Sequence, residues 1–207
     1  MLSTSAQKSP NQPAPDFQWD ANSFTKLDFT RTLATAKDLI PAEKAALVKA
    51  ISTQIRPFKA DLEIKSEHEL RTIALSSRFK FIDLNEDGVP EIIVQPVGMK
   101  TGCGATGNCP FWVFVKTPEG YKELMDTRGK DGLGGIELYR VETTVTNNFH
   151  NITVASHDSA SEKTVLVYTF QSGIYRPIRC YGLSWTSTDG GRWHELKNPT
   201  VTRCEVR

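Results

Sequence analysis

The sequence predicts a mainly β protein of the α+β class, with two small antiparallel meanders in a sandwich or partial propeller and a helical segment before them. One strong helical pattern stands in the first third of the chain. From Leu70 onward, short strand-like runs alternate with polar and glycine-containing turns. The 207 residues are enough to bury a hydrophobic core without further support.

The helical pattern covers residues 41–55, which read PAEKAALVKAISTQI. Pro41 suits the first helical position, and Glu43 suits the positive end of the helix. A pronounced apolar face follows the 3.6-residue period, and Arg56-Pro57 ends the helix. Residues 23–39 are predicted to be partly helical. We therefore divide the chain into a flexible linker (1–22), a helical segment (23–60) and a β domain (61–207).

Within the β domain, paired strand-like runs predict hairpins. Runs 71–82 and 92–95 flank an acidic turn, runs 111–115 and 121–124 flank one glycine turn, and runs 165–170 and 175–180 flank another. The last two hairpins resemble each other, which predicts two degenerate repeats, at about 71–127 and 136–182, each of about four strands. A chance match between two amphipathic hairpins is the alternative.

Charge and hydropathy exclude several classes of partner. Lys and Arg number 25 against 24 Asp and Glu, giving a net charge of +1, so neither nucleic acid nor an anionic membrane surface is indicated. No apolar run approaches the ~20 residues that span a bilayer. Residues 1–15 are rich in Ser, Gln, Pro and Ala and lack the apolar core of a signal peptide. We expect that a secretory or lipoprotein leader, with a possible lipid anchor, preceded them.

Four cysteines are present, an even number without a CxxC motif, which favours disulfides over a zinc site. The expected pairs are Cys103–Cys109 and Cys180–Cys204, with two other connectivities open. Disulfides imply an oxidising compartment, so the protein is predicted to be secreted, periplasmic or bound to the cell envelope. Four reduced cysteines in a cytosolic protein are the alternative.

The acidic turn has the pattern of a cation site. In FKFIDLNEDGVPEIIV (residues 79–94), Asp83, Asn85, Asp87 and Glu91 occupy positions 1, 3, 5 and 9 of the turn, and Gly88 occupies position 6. Ca²⁺ takes six to eight oxygen ligands, which such a turn can supply. Asp, Asn and Gly also form metal-free turns. Three carboxylates on one turn repel one another, however, which favours a bound cation.

These sixteen residues resemble the calcium loops of FG-GAP and VCBS-type repeat proteins, whose pattern is D-x-[DN]-x-D-G-x-x-D between two strands. The resemblance implies side-chain ligands from Asp83, Asn85 and Asp87, a backbone carbonyl ligand from Val89, and closure of the site by Glu91. The family usually has Asp at this last position. The turn is not an EF-hand, because Val94 stands where an EF-hand has Glu.

A second candidate site is the glycine-rich loop between Cys103 and Cys109. A stapled loop loses little entropy on docking, and several inhibitors of bacterial cell-wall hydrolases use one. Gly104, Thr106 and Asn108 are the candidate binding residues, and Trp112 is a candidate exposed anchor. The loop would contact another protein or a cell-envelope component. The alternative is a simple connection between strands.

Catalytic motifs are scarce. Residues 156–162 (SHDSASE) contain His157 among possible nucleophiles, but the chain has no G-x-S-x-G, H-E-x-x-H or P-loop motif. An enzyme would require a deep pocket that joins His157 to a distant acid or nucleophile. Trp185 and Trp193 flank an Asp-Gly turn and offer a weaker sugar-binding option. The sequence therefore predicts a non-enzymatic, calcium-stabilised binding domain without catalytic residues, or alternatively an inhibitor or immunity-type protein acting through the stapled loop.

Overall fold

The computed structural model describes residues 14, 16–27, 29–98, 103–104, 107–126, 135–189 and 192–206. Two α-helices precede nearly all of the strands. The elements are α1 (Pro41–Ile55), α2 (Glu67–Ser76), β1 (Thr25–Lys26), β2 (Arg78–Ile82), β3 (Glu91–Gln95), β4 (Trp112–Thr117), β5 (Gly120–Asp126), β6 (Leu138–Thr146), β7 (Phe149–Ser159), β8 (Glu162–Gln171), β9 (Ile174–Asp189) and β10 (Arg192–Cys204). The predicted mainly β class with an N-terminal helical region is confirmed.

The strands form two antiparallel sheets. The four-stranded sheet has the order β2-β3-β4-β5, and the six-stranded sheet has the order β1-β6-β7-β8-β9-β10. Most neighbours in space are also neighbours in sequence, as expected for meanders. The first predicted repeat contains β2 to β5, and the second contains β6, β7, β8 and the start of β9. That the two are copies of one unit stays a prediction.

The four-stranded sheet lies between the helices and the six-stranded sheet. Along β3, Ile92 and Val94 pack toward α1 and α2, whereas Ile93 packs toward the six-stranded sheet. Alternation along a strand places these side chains on opposite faces, and here both faces are covered. All five residues of β3 are therefore buried. This strand leads directly out of the acidic turn.

Part of the outer face of the six-stranded sheet is covered by the N-terminal segment. Ala14 donates its N–H to the Val201 carbonyl over 3.3 Å, and Phe17 stacks on Tyr181 with ring centroids 4.5 Å apart. Phe24 is buried against the same face. The described part of the predicted linker, residues 14 and 16–22, is therefore packed on the sheet.

The prediction for α1 is confirmed, but two neighbouring predictions are wrong. The described residues of 23–39 form no α-helix: they contain the end of a 3₁₀ turn (Ala21–Ser23), the short strand β1, an isolated bridge from Thr32 to Arg78, and turns. Residues 71–76, predicted as strand, belong to α2. Ser66 caps this helix by accepting from the Glu69 N–H over 3.0 Å, and Leu70 and Ala74 bury one face of it.

Candidate functional site

The acidic turn joins β2 to β3 and is attached to the other sheet. Leu84, inside the turn, is fully buried in the core between the two sheets. Its carbonyl accepts a hydrogen bond of 2.7 Å from the His150 N–H at the start of β7. The turn is therefore a junction between the sheets as well as a connection within one of them.

Side-chain oxygens of the turn fold back onto its own backbone. The Gly88 N–H donates to Asp83 over 3.0 Å, the Asp87 N–H to Asn85 over 3.1 Å, and the Val89 N–H to Asp87 over 2.7 Å. Gly88 has a φ of +82°, which glycine adopts without strain. These bonds wrap the turn around its polar side chains, as a cation cage or an Asx-type turn requires.

Glu91 is the buried member of the group. Its side chain is 1% exposed, and Oε2 accepts from the Leu84 N–H over 2.8 Å. Its other oxygen, Oε1, is buried without a hydrogen-bond partner. Burial raises the pKa of Glu91, and the negative charges of Asp87 and Asp83 raise it further. An ionised carboxylate at this position is costly unless a cation compensates it.

The structure does not present a finished cage. In the described part of the chain, no three His, Cys, Asp or Glu side chains are grouped so that they could hold a metal ion. The Asp83 and Asp87 carboxylates are exposed and bind amides of the turn, while Glu91 lies beneath them. Ion binding would therefore have to draw the outer carboxylates toward the buried one.

His150 connects the acidic turn to strand β7. Its Nε2 lies 3.0 Å from Glu86 Oε1, and its Nδ1 lies 2.7 Å from the Glu142 carbonyl. The hydrogen bond with Glu86 is the main cause that raises the pKa of His150, and the hydrogen bond with the Glu142 carbonyl raises it further. The Tyr175 hydroxyl donates to the His150 carbonyl over 2.8 Å. His150 and Glu86 are 64 residues apart, so no local pattern could have joined them.

Both predicted disulfide pairs are confirmed: Cys103 is bonded to Cys109, and Cys180 to Cys204. Cys109 exchanges two backbone hydrogen bonds with Ile136, of 3.0 and 2.8 Å. The second disulfide links β9 to β10 directly across the pair. The stapled loop is therefore attached at its C-terminal end to the chain that enters β6.

The candidate binding residues of the stapled loop are mostly engaged within the protein. Asn108 Nδ2 donates to the His157 carbonyl over 2.7 Å, and the His157 N–H donates to Asn108 Oδ1 over 3.0 Å. Trp112 is 0% exposed between the helices and the four-stranded sheet, so the prediction of an exposed anchor is wrong for this residue. Gly104 is exposed, and Thr106 lies outside the described residues.

Gly135 makes a testable contact with the base of this loop. A Cβ atom at Gly135 would lie 2.4 Å from the Cys109 carbonyl carbon and 2.6 Å from its oxygen. Because backbone atoms cannot swing aside, we expect Gly135→Ala to lower the free energy of unfolding by about 1–3 kcal/mol, measured by urea denaturation. In the control, Gly182→Ala, the new Cβ would meet only the Thr202 hydroxyl, at 3.2 Å. Equal effects of the two changes would contradict the contact.

His157, the residue that Asn108 contacts, lines a cavity of about 620 Å³ together with Lys163, Trp185 and His194. His157 Nε2 lies 2.8 Å from Glu137 Oε2, and Lys163 forms an ion pair with the same carboxylate. Burial acts to raise the pKa of Glu137, but Lys163 and His157 lower it on balance. The contact with Glu137 joins His157 to an acid twenty residues earlier in the chain, but Glu137 is not among the residues that line this cavity.

The serines around His157 do not complete a nucleophile–base pair. Ser159 donates to Glu162 over 3.2 Å and accepts from the Ser161 N–H over 3.3 Å. Among the residues that the structure describes, no serine hydroxyl is hydrogen-bonded to His157. The contacts of its ring are with Glu137 and Lys163 instead.

Neither α-helix within the described ranges is both long and apolar enough to cross a membrane. Comparison of the chain with protein-family models, with curated proteins and with solved structures returned no match.

Proposed function

We propose that the protein is an extracytoplasmic binding domain stabilised by Ca²⁺ at the turn of residues 83–91. One observation carries the proposal: the buried Glu91 carboxylate has an oxygen without a partner and lies close enough to Asp83 and Asp87 for their charges to raise its pKa. A divalent cation bound among the three carboxylates would offset two of their three negative charges. Without one, the turn holds a buried acceptor and unrelieved repulsion.

The available donors are the kind that Ca²⁺ prefers. The side chains of Asp83, Asn85, Asp87 and Glu91 and the carbonyl of Val89 would provide five protein oxygens, and water would complete six to eight. Mg²⁺ demands a smaller octahedron and dehydrates reluctantly, so it fits a turn of mixed oxygens less well. The outer residues are exposed, which allows the ion to enter from solvent.

The place of the turn in the fold supports a stabilising role for the ion. Leu84 is buried between the sheets and is bonded to β7 through His150, so tightening the turn would tighten the junction between the two sheets. A chain held by two disulfides is compatible with the oxidising compartments outside the cytoplasm, where Ca²⁺ is abundant enough to occupy modest sites. The binding partner would be another protein or a component of the cell envelope.

Thermal unfolding of the oxidised protein in Ca²⁺, in Mg²⁺ and in chelator tests the proposal. We expect a rise in melting temperature that is selective for Ca²⁺. A ligand that binds only the native state stabilises it, by ~2.7 kcal/mol at a hundredfold excess over Kd. Asp87→Ala is expected to remove this rise and to leave the fold in chelator intact. Asp61→Ala removes an exposed carboxylate elsewhere and should keep the full rise.

Identical unfolding curves in Ca²⁺ and in chelator, starting from protein verified to be free of calcium, would make residues 83–91 an ordinary acidic turn. An equal rise in Mg²⁺ would also contradict the proposed selectivity. If Asp61→Ala lost the rise together with Asp87→Ala, the ion would be acting through net charge instead of at the turn.

A further inference from the structure

We infer that the outer face of the six-stranded sheet carries a groove that binds an uncharged oligosaccharide, which adds a ligand class to the binding role proposed above. Two cavities, of about 620 and 540 Å³, adjoin there. Each falls within the roughly 300–1,000 Å³ of ordinary ligand sites. Trp185 and Lys163 line both cavities and therefore stand at their boundary. None of the residues of the proposed calcium site lines either one.

The aromatic part of the groove is held in place from within the protein. Trp19 and Trp185 meet edge to face with ring centroids 5.9 Å apart. Phe24 stacks on Trp19 at 4.8 Å, and the Arg140 guanidinium lies 4.8 Å from the centre of the Phe24 ring. Both indoles are only partly buried, so each keeps surface for a ligand. Rigid, half-exposed Trp rings are suited to the apolar C–H faces of pyranose rings.

Hydrogen-bond donors and acceptors both surround these indoles. Lys26 and Lys197 line the second cavity, and His194 and Glu195 line the first. Lysines donate hydrogen bonds and carboxylates accept them, whereas a sugar hydroxyl does both. The Glu137–His157–Lys163 cluster forms a fixed polar wall, because its members already hold one another.

The charges of the groove favour an uncharged ligand. Among the described residues, three lysines and four carboxylates line the two cavities, and each cavity has charges of both signs. A polyanionic or polycationic chain lying along it would meet like charges at several points, which costs affinity. An uncharged chain of hydroxyls meets no such repulsion. The side chain of Trp193, the other tryptophan that the sequence singled out, lies outside the described part of the structure.

Titration calorimetry of the oxidised protein with chitotetraose, cellotetraose, xylotetraose and maltotetraose tests the inference, with tetragalacturonate as the charged comparison. We expect at least one of the four uncharged sugars to bind and tetragalacturonate to bind more weakly. Trp185→Ala is expected to weaken binding about tenfold or more, as for a buried aromatic anchor. Because Trp185 also packs on the sheet, the exposed His194→Ala is the second variant, with a several-fold loss expected.

His68→Ala is the matched control for His194→Ala, because His68 is also exposed but lies on α2. It should leave binding unchanged. The inference is overturned if none of the four uncharged sugars binds, if tetragalacturonate binds more tightly than they do, or if His194→Ala and Trp185→Ala bind as the unmodified protein does. Trp185→Ala is expected to keep the calcium stabilisation while it loses sugar binding. Calcium stabilisation of the unmodified protein without binding of any uncharged sugar would overturn only the groove.

Discussion

Replacing Trp112 with alanine is expected to lower the free energy of unfolding by about 3–5 kcal/mol. The side chain is 0% exposed and packs in the cluster that joins α1 and α2 to the four-stranded sheet. Its removal would leave a cavity between two rigid layers, which can collapse only partly. Urea denaturation followed by circular dichroism measures the loss.

Trp185→Ala is the control for this prediction. Trp185 is only partly buried at the edge of the outer cluster, so less apolar surface would be lost from the folded state. Its loss of stability should be clearly smaller than that of Trp112→Ala. A similar or larger loss for Trp185→Ala would contradict the central position that the structure gives to Trp112.

The strand that contains Trp112 could be predicted from the sequence, but the burial of Trp112 could not. The run Phe111 to Val115 predicted a strand correctly, and strand β4 begins at Trp112. Which face of that strand would be covered depends on α1 and α2, which lie about forty to seventy residues earlier in the chain. With helices on one side and the other sheet on the other, both faces of the strand are buried, and no residue near its start could serve as an exposed anchor.

Helix α1 could be predicted because its signals are local: Pro41 and Glu43 at the start and an apolar face at the correct period. Helix α2 was missed because it has only ten residues, of which only Leu70 and Ala74 are buried. Its start depends on a single Ser66 cap. The disulfides were also predictable, because an even number of cysteines without a CxxC motif favours bridges over a zinc site.

The candidate sites likewise differ in how far they could be predicted from the sequence. Residues 83–91 are contiguous, so their oxygen pattern could be recognised from the sequence alone. The groove could not be, since Trp19, Lys163 and Trp185 come from the N-terminal segment and two different strands. The contact of Asn108 with His157 spans 49 residues and was equally hidden. A contact of this kind is set by how the layers stack, which periodicity along one strand does not encode.

The sharpest prediction for the turn concerns Glu91 itself. Glu91→Gln keeps a side-chain oxygen to accept from the Leu84 N–H but removes the buried negative charge. In chelator near neutral pH we therefore expect the variant to be more stable than the unmodified protein, by about 1–3 kcal/mol, because an uncompensated buried charge costs more than an uncompensated neutral amide. In saturating Ca²⁺ the unmodified protein should be the more stable of the two, because the carboxylate binds the ion and the neutral amide binds it much more weakly.

Urea denaturation of both proteins in chelator and in Ca²⁺ would show this crossing, with Glu119→Gln as a control that removes an exposed charge. The control should leave both stabilities nearly unchanged. Full calcium stabilisation in Glu91→Gln would exclude Glu91 as a ligand, even if Asp87 proved essential. If Glu91→Gln is less stable than the unmodified protein in chelator, the charged carboxylate stabilises the calcium-free fold through the hydrogen bond that it accepts from the Leu84 N–H. If Glu91 is a calcium ligand, we expect Glu91→Gln to be the more stable of the two proteins in chelator and the less stable one in Ca²⁺. A carboxylate with a purely structural role would give the same order of stabilities in both conditions.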